Sequence, residues 1–233
     1  MSDEAGKRRR KTGLLFFLAA LLILLFTISE NITGSGNESS RLAVVQSLVD
    51  HGTFAIDKSI FRTVDAGKLN GHFYSDKPII FSAWLAAVYA LIKNVWMIAF
   101  KSAGHTVIYL INLLGVSSFT LALYALFRRR LGHINGNNYI KEALAFSLIF
   151  CTWIFSYTVS INNHTVAAFL VFLLFLLTEK YISKDASRPK MTAFCAGLAG
   201  GFLCSVENPV GGIFSLAAIC CIIVCAGEKR GIG

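Results

Sequence analysis

Several features that mark soluble enzymes are scarce or missing in this sequence. Charged residues make up only 15% of its 233 residues and there are only three prolines, whereas 55% of the residues are hydrophobic. The sequence has no P-loop, no GxGxxG segment and no GxSxG nucleophile elbow, so it gives no support for sites of those kinds. A chain this apolar is predicted to lie in a membrane.

The cysteine spacings typical of zinc and redox sites are also missing. The six cysteines form no CxxC pair and all lie in apolar segments. We predict reduced, structural cysteines and no zinc site, because such sites need clustered thiolate or imidazole ligands. They are Cys151, Cys195, Cys204, Cys220, Cys221 and Cys225.

Seven apolar segments provide the predicted fold, an all-α polytopic transmembrane helix bundle. They lie at 13–28, 79–92 (with 95–100), 106–127, 142–159, 165–178, 191–206 and 210–226. A span needs about 20 residues, and 79–92 is shorter and followed by Lys93-Asn94. We therefore predict about six spans, the first of them uncleaved, and an interfacial helix at 79–92.

The formal charge of +9 would suggest nucleic acid as the partner of a soluble protein, but in a membrane protein it predicts topology. If 79–100 stays at the outer leaflet, fifteen of the 22 Lys and Arg residues fall on one side of the membrane. These fifteen lie in 1–12, 128–141, 179–190 and 227–233. The positive-inside rule then makes 1–12 a cytoplasmic basic tail and 30–105 an external loop of a plasma-membrane protein.

This topology brings four polar motifs to the external face of the membrane. They are Asn37-Glu38, Asp76-Lys77, Asn162-Asn163-His164 and Glu207-Asn208-Pro209. Because the charge count did not use these motifs, their convergence predicts an active site at the external surface.

Local patterns predict the structure of the long external loop. Asn37 is expected to cap a helix at 38–51 that ends at Gly52, and its apolar residues fall on one side, as in a helix lying flat on the bilayer. The segment that follows is predicted to be extended with turns, including a small hairpin at Asn70-Gly71.

Two residues of this loop have both a chemical and a structural interpretation. Lys77 is placed to bind a lipid phosphate, or it anchors the chain at the interface before the helix that starts at Pro78. Glu38 is placed to accept a proton from a hydroxyl nucleophile, or it only caps the loop helix. Asp57, Asp65 and Asp76 are rival carboxylates that spacing alone does not rank.

Two later residues have similar alternatives. His164 follows two asparagines where a span emerges, and is either a site residue or a hydrogen-bonding end residue. Glu207 lies between apolar runs and either faces a cavity or belongs to an external turn.

The loop segments resemble those of GT-C membrane glycosyltransferases of family 39, the dolichyl-phosphate-mannose–protein mannosyltransferase group that includes lipid A aminoarabinose transferases. The resemblance rests on Asn37-Glu38-Ser39-Ser40-Arg41, Asp50-His51-Gly52-Thr53-Phe54 and Asn70-Gly71-His72-Phe73-Tyr74-Ser75-Asp76-Lys77-Pro78. Family members are about twice as long, so 13–233 is expected to be the amino-terminal part of such a transmembrane domain.

The resemblance implies transfer of a sugar, with inversion, from a polyprenyl-phosphate donor to an external hydroxyl on a lipid, glycan or protein. Lys77 matches the family's phosphate-contacting lysine, with Arg41 or Arg62 as a helper, and Tyr74 lies in the same segment. Asn163-His164 matches a polar site position. Where relatives carry an Asp-Glu pair with a catalytic aspartate, this chain has Asn37-Glu38, so Glu38 or a nearby carboxylate such as Asp76 serves, or the base is lost.

Two further points stay open at this level. The sequence does not decide whether a divalent metal assists, and no other cofactor is predicted. The alternative to the transferase is a non-catalytic polytopic membrane protein, such as a lipid-binding subunit or one related to flippases and transporters.

Overall fold

A computed structural model describes residues 2–31, 34–183 and 188–228, and within these ranges the chain is mostly helical. The helices are α1 (Ser2–Thr27), α2 (Gly36–His51), α3 (Ile79–Trp96), α4 (Phe100–Asn112), α5 (Ser118–Leu131), α6 (Asn138–Phe150), α7 (Trp153–Thr158), α8 (His164–Ile182), α9 (Pro189–Val206) and α10 (Val210–Glu228). A π-helical turn, Leu113–Ser117, joins α4 to α5, and two strands, β1 (Ala66–Leu69) and β2 (His72–Ser75), form a hairpin.

Three helical stretches among the described residues are long and apolar enough to cross a membrane. They are Ile79–Trp96, the continuous Phe100–Leu131 and His164–Ile182, and shorter apolar helices lie at Lys11–Thr27 and Val210–Cys225. These lengths are consistent with a membrane protein and with the helical class expected from the sequence. The count of six spans stays a prediction, as does the interfacial position of α3, which has the length of a span.

The loop helix is confirmed as α2, with two corrections. It ends at Gly52, whose φ of 64° is the left-handed conformation that glycine adopts readily. The predicted Asn37 cap is wrong, because the helix starts at Gly36 after Ser35. The predicted one-sided burial is also wrong, since the polar residues Arg41 and Ser47 are as buried as the apolar ones. Packing therefore surrounds α2 over most of its length. The position of α2 flat on the bilayer stays a prediction.

The predicted hairpin forms at the expected turn. Ala66 pairs with Ser75 and Leu69 with His72, and the two turn residues, Asn70 and Gly71, have positive φ angles of 50° and 87°. Two successive positive φ angles are typical of the tight turn that matches the twist of antiparallel strands. The local sequence is sufficient to specify this element.

The chain divides into two compact units, residues 1–77 with 82–165, and residues 78–81 with 166–233. In the second unit, α9 and α10 form an antiparallel pair, and their backbones approach each other closely. A Cβ atom on Gly211 would lie 2.5 Å from the Leu203 carbonyl oxygen and 2.6 Å from the Cys204 Cα atom. Small residues allow such close packing between apolar helices.

We expect Gly211→Ala to destabilise the α9–α10 pair, because the added methyl group meets backbone that cannot rotate away. The expected loss is about 1–3 kcal/mol in the free energy of unfolding, measured by denaturant titration in detergent. Gly212→Ala is the matched control, since a Cβ atom at Gly212 meets nothing within 4 Å and alanine favours a helix. Equal stability of the two variants would contradict the close approach.

Candidate functional site

Through Ser40, the first two turns of α2 contact the part of the loop that forms the hairpin. The Ser40 hydroxyl donates to the carbonyl oxygen of Asp65 at 2.7 Å and lies 2.6 Å from the hydroxyl of Ser75. The Ser75 hydroxyl in turn accepts a hydrogen bond from the backbone N–H of Lys77 at 3.1 Å. Ser40 therefore fixes the segment that carries Lys77 against α2.

Lys77 lies between two carboxylates. Its Nζ atom is 3.0 Å from Asp65 and 3.1 Å from Asp76, whose side chain is 50% exposed whereas that of Lys77 is 18% exposed. Desolvation alone would lower the pKa of Lys77, but the hydrogen bonds and charges of Asp65 and Asp76 outweigh it and raise the pKa. The ammonium group is therefore charged at neutral pH.

A second contact fixes the hairpin tip to the loop. Asp57 accepts a hydrogen bond from the backbone N–H of Phe73 at 3.2 Å, and its other oxygen lies 3.2 Å from His72 Nδ1. Desolvation alone would raise the pKa of Asp57, but these two partners outweigh it and lower the pKa. Asp57 thus has a structural partner and lies apart from the contacts of Ser40.

The same two turns of α2 contact the chain just before α8. The Arg41 guanidinium donates from Nη2 to Asn163 Oδ1 at 2.7 Å, and Glu38 Oε1 accepts the backbone N–H of Ile161 at 2.8 Å. Glu38, Arg41, Ile161 and Asn163 are all buried. Buried charges persist only when they are hydrogen-bonded, so these contacts hold the 161–164 segment against α2.

His164 is the exposed end of this segment. It is the first residue of α8, its backbone N–H donates to Asn162 Oδ1 at 3.0 Å, and its ring lies 4.6 Å from that of Tyr157. Asn162 therefore acts as the side-chain partner of the helix start, and the imidazole faces outward beside an aromatic ring.

The structure links most of the residues that the sequence singled out. Contacts through α2 connect Lys77 and Asp76 with Glu38, Arg41 and Asn163-His164. Tyr74 is half-buried in β2, paired with Gly67, and Arg62 is exposed. Glu207 lies where α9 ends, in the second unit, and its place in a shared site stays a prediction.

Sequence reasoning missed three members of this arrangement. Ser40 and Ser75 form its central link, and the partner role of Asp65 toward Lys77 was not predicted. The spacing of Glu38 and Arg41 was the one available signal, because residues three apart on a helix are neighbours and share a face.

Among the residues that the structure describes, no group of three His, Cys, Asp or Glu side chains could hold a metal ion. A role for a divalent metal stays an untested prediction. The six cysteines, all within the described ranges, are free.

Comparisons of the chain with protein-family models, curated proteins and solved structures found no match. The family resemblance therefore rests on the 37–41, 50–54 and 70–78 segments alone.

We expect Arg41 and Asn163 to be energetically coupled, because the buried Arg41 Nη2 donates to the buried Asn163 Oδ1. In a double-mutant cycle of Arg41→Ala and Asn163→Ala, the expected coupling is about 1–3 kcal/mol in the free energy of unfolding. Arg62→Ala, at an exposed arginine of the same loop, is the control and should be additive with Asn163→Ala. If the stability losses of the two single variants simply add in the double variant, this hydrogen bond does not hold the two segments together.

Proposed function

We propose that the chain is a membrane glycosyltransferase, or the amino-terminal part of one, that moves a sugar from a polyprenyl-phosphate donor to an acceptor hydroxyl. One observation carries the proposal: α2 contacts the Lys77 segment through Ser40 and the Asn163-His164 segment through Glu38 and Arg41. The segment that carries the cation and the exposed carboxylate and the segment that starts α8 are thereby both held to the first two turns of α2. The six-span topology, with a cytoplasmic amino terminus and an external loop, is part of this proposal.

In the proposed reaction, the acceptor oxygen forms a bond to the anomeric carbon of the sugar. The bond between that carbon and the donor's phosphate oxygen breaks, and the phosphate takes the electron pair. Lys77 stabilises the negative charge that develops on the leaving phosphate, and a carboxylate takes the proton of the acceptor hydroxyl. In-line displacement inverts the anomeric centre.

Exposure favours Asp76 over Glu38 as the base. Half of the Asp76 side chain is exposed, and it lies 3.1 Å from Lys77, where an acceptor would approach the sugar phosphate. Glu38 is 95% buried, as its relative exposure is 5%, and one of its oxygens is engaged by a backbone N–H. We therefore assign Asp76 the proton transfer and Glu38 the positioning of the 161–164 segment.

The contacts of α3 support an interfacial position for that helix. Lys93, near its carboxyl end, pairs with Asp50 of α2 at 2.7 Å, and Ser75, just before α3, lies against Ser40 of α2. A crossing α3 would separate Lys77 from Lys93 by about 24 Å of depth. It would also carry α2, with its buried polar side chains, into the hydrocarbon, which is costly. A position along the outer leaflet avoids that cost.

One observation favours a second function. Lys77 is paired with two carboxylates, which more than neutralise its charge, as in a structural ion-pair cluster. A non-catalytic, lipid-binding protein would retain that cluster and bind a polyprenyl phosphate without releasing the sugar. Binding without turnover distinguishes this function from the transferase.

The proposal is tested with membranes that carry the chain, supplied with a panel of radiolabelled polyprenyl-phosphate-linked sugars. We expect label to leave the polyprenyl fraction with one of these donors, at a rate that exceeds that of membranes without the chain. Donor binding with no release from any member would support the lipid-binding function. Neither binding nor release would refute both.

A further inference from the structure

A basic cleft lies between α5 and α6, at the end of the first unit predicted to face the cytoplasm. It has a volume of about 440 Å³ and is lined by Arg128, Arg129, His133, Asn138, Lys141 and Glu142. Glu142 is the one carboxylate among its lining residues, so its partner determines the charge that remains in the cleft.

Glu142 is fully engaged by Arg128. The Arg128 Nε atom lies 2.7 Å from both Glu142 oxygens, and Tyr124 donates to one of them at 3.4 Å. Gly13 of α1 makes room for this pair, since a Cβ atom there would lie 1.6 Å from Arg128 Nη2. The pair is therefore held in place by the close approach of α1 and by the packing of α5 against α6.

Two cations are left over beside this neutral pair. Arg129 is exposed and Lys141 is half-buried, and neither has an ion-pair partner within the part of the chain that the structure describes. The cleft also contains Asn138, the first residue of the 13-residue helix α6, and the positive end of a helix dipole favours an anion. Charge and helix dipole thus both favour a negatively charged group.

We propose that the α5–α6 cleft binds a phosphate group. Arg129 supplies planar N–H donors that suit phosphate oxygens, and Lys141 adds a second positive charge from the facing helix. The cleft follows the end of the apolar stretch Phe100–Leu131. If that stretch crosses the membrane, the cleft lies at the depth of the lipid headgroups. Basic pockets between helices at that depth are typical sites for anionic lipid headgroups, and a free phosphate ion presents the same chemistry.

The test measures binding to the purified full chain, so it is independent of any sugar transfer. Native mass spectrometry compares retention of phosphatidylglycerol with that of phosphatidylcholine, and a thermal-shift assay measures the effect of inorganic phosphate. We expect the double variant Arg129→Gln/Lys141→Gln to weaken binding about 25-fold, or roughly fivefold for each cation removed. The double variant Lys101→Gln/Lys180→Gln is the control, since it removes two exposed cations that do not line the cleft.

The outcomes separate the sources of the phosphate. Preferential retention of phosphatidylglycerol that only the cleft variant loses identifies a lipid headgroup, and a phosphate-dependent thermal shift that only this variant loses identifies a free anion. Equal weakening in both double variants would show that binding follows net charge, which overturns the proposal. If the cleft variant does not fold, the wild-type chain is tested alone. Retention of phosphatidylglycerol over phosphatidylcholine that added inorganic phosphate abolishes would support the site. Equal retention of the two lipids would overturn the proposal.

Discussion

Replacing Lys77 by methionine is expected to lower the rate of sugar transfer by about 10²- to 10³-fold, the usual effect of removing one group that stabilises transition-state charge. Methionine has an unbranched side chain one atom shorter than that of lysine and carries no charge, so the leaving phosphate loses its cation. Because the Lys77 side chain is only 18% exposed and its ammonium group lies 3.0 Å from Asp65, its position is fixed before substrate binds. The measurement is kcat/KM with the radiolabelled donor that wild type uses.

Lys58→Met is the matched control for this prediction. Lys58 is an exposed lysine of the same loop, so its loss changes the net charge equally. We expect its kcat/KM to equal that of wild type. A Lys77→Met variant that transfers sugar at the wild-type rate would remove Lys77 from the site, whereas a change in KM alone would assign it to donor binding and not to the chemical step.

Replacing Glu38 by alanine is expected to lower the free energy of unfolding by about 1.5–3 kcal/mol, because it removes a charged hydrogen-bond acceptor from a buried backbone N–H. The Ile161 N–H that Glu38 accepts at 2.8 Å would be left without that carboxylate oxygen. Transfer should fall with stability, since Asn163 and His164 lie two and three residues after Ile161. Unfolding is measured by denaturant titration in detergent, and transfer by the same radiolabel assay.

The conservative variant separates positioning from proton transfer. Glu38→Gln retains an oxygen that accepts the Ile161 N–H but loses the basic carboxylate, so we expect it to restore most of the stability and most of the transfer. Asp76→Asn should do the reverse and lower transfer by about 10²- to 10⁴-fold at nearly unchanged stability. If Glu38→Gln is as inactive as Asp76→Asn yet stable, Glu38 takes part in proton transfer and our assignment of Asp76 as the only base is wrong.

The end of α2 and the hairpin turn were predictable from the sequence, because the residues that specify each of them are neighbours in the chain. Gly52 ends α2 and Asn70-Gly71 forms the hairpin turn, and in both places a short segment needs positive φ angles that few residues adopt. The cap of α2 was misplaced by two residues, since Ser35, Asn37 and the flexible Gly36 are alternatives that local preference does not separate.

The burial of α2 could not be predicted in the same way. Its sequence places Leu42 and Val45 on one side, a pattern typical of a surface helix, yet Arg41 and Gln46 are buried as well. Arg41 is buried because Asn163, more than a hundred residues later, accepts its hydrogen bond, and Gln46 because Ser59 and Ile60 donate to its oxygen. A periodicity reports the apolar face of a helix but not the polar partners that cover its other face.

The sequence by itself determined the apolar helical character of the chain and the positions of its turns, because composition and local φ preferences act within a few residues. Only the tertiary structure decided which polar groups meet: Ser40 with Ser75, Glu38 with Ile161, and Arg128 with Glu142. Such pairs depend on the path of the chain between distant segments. That path is fixed by the packing of apolar helices against one another, which no short motif encodes.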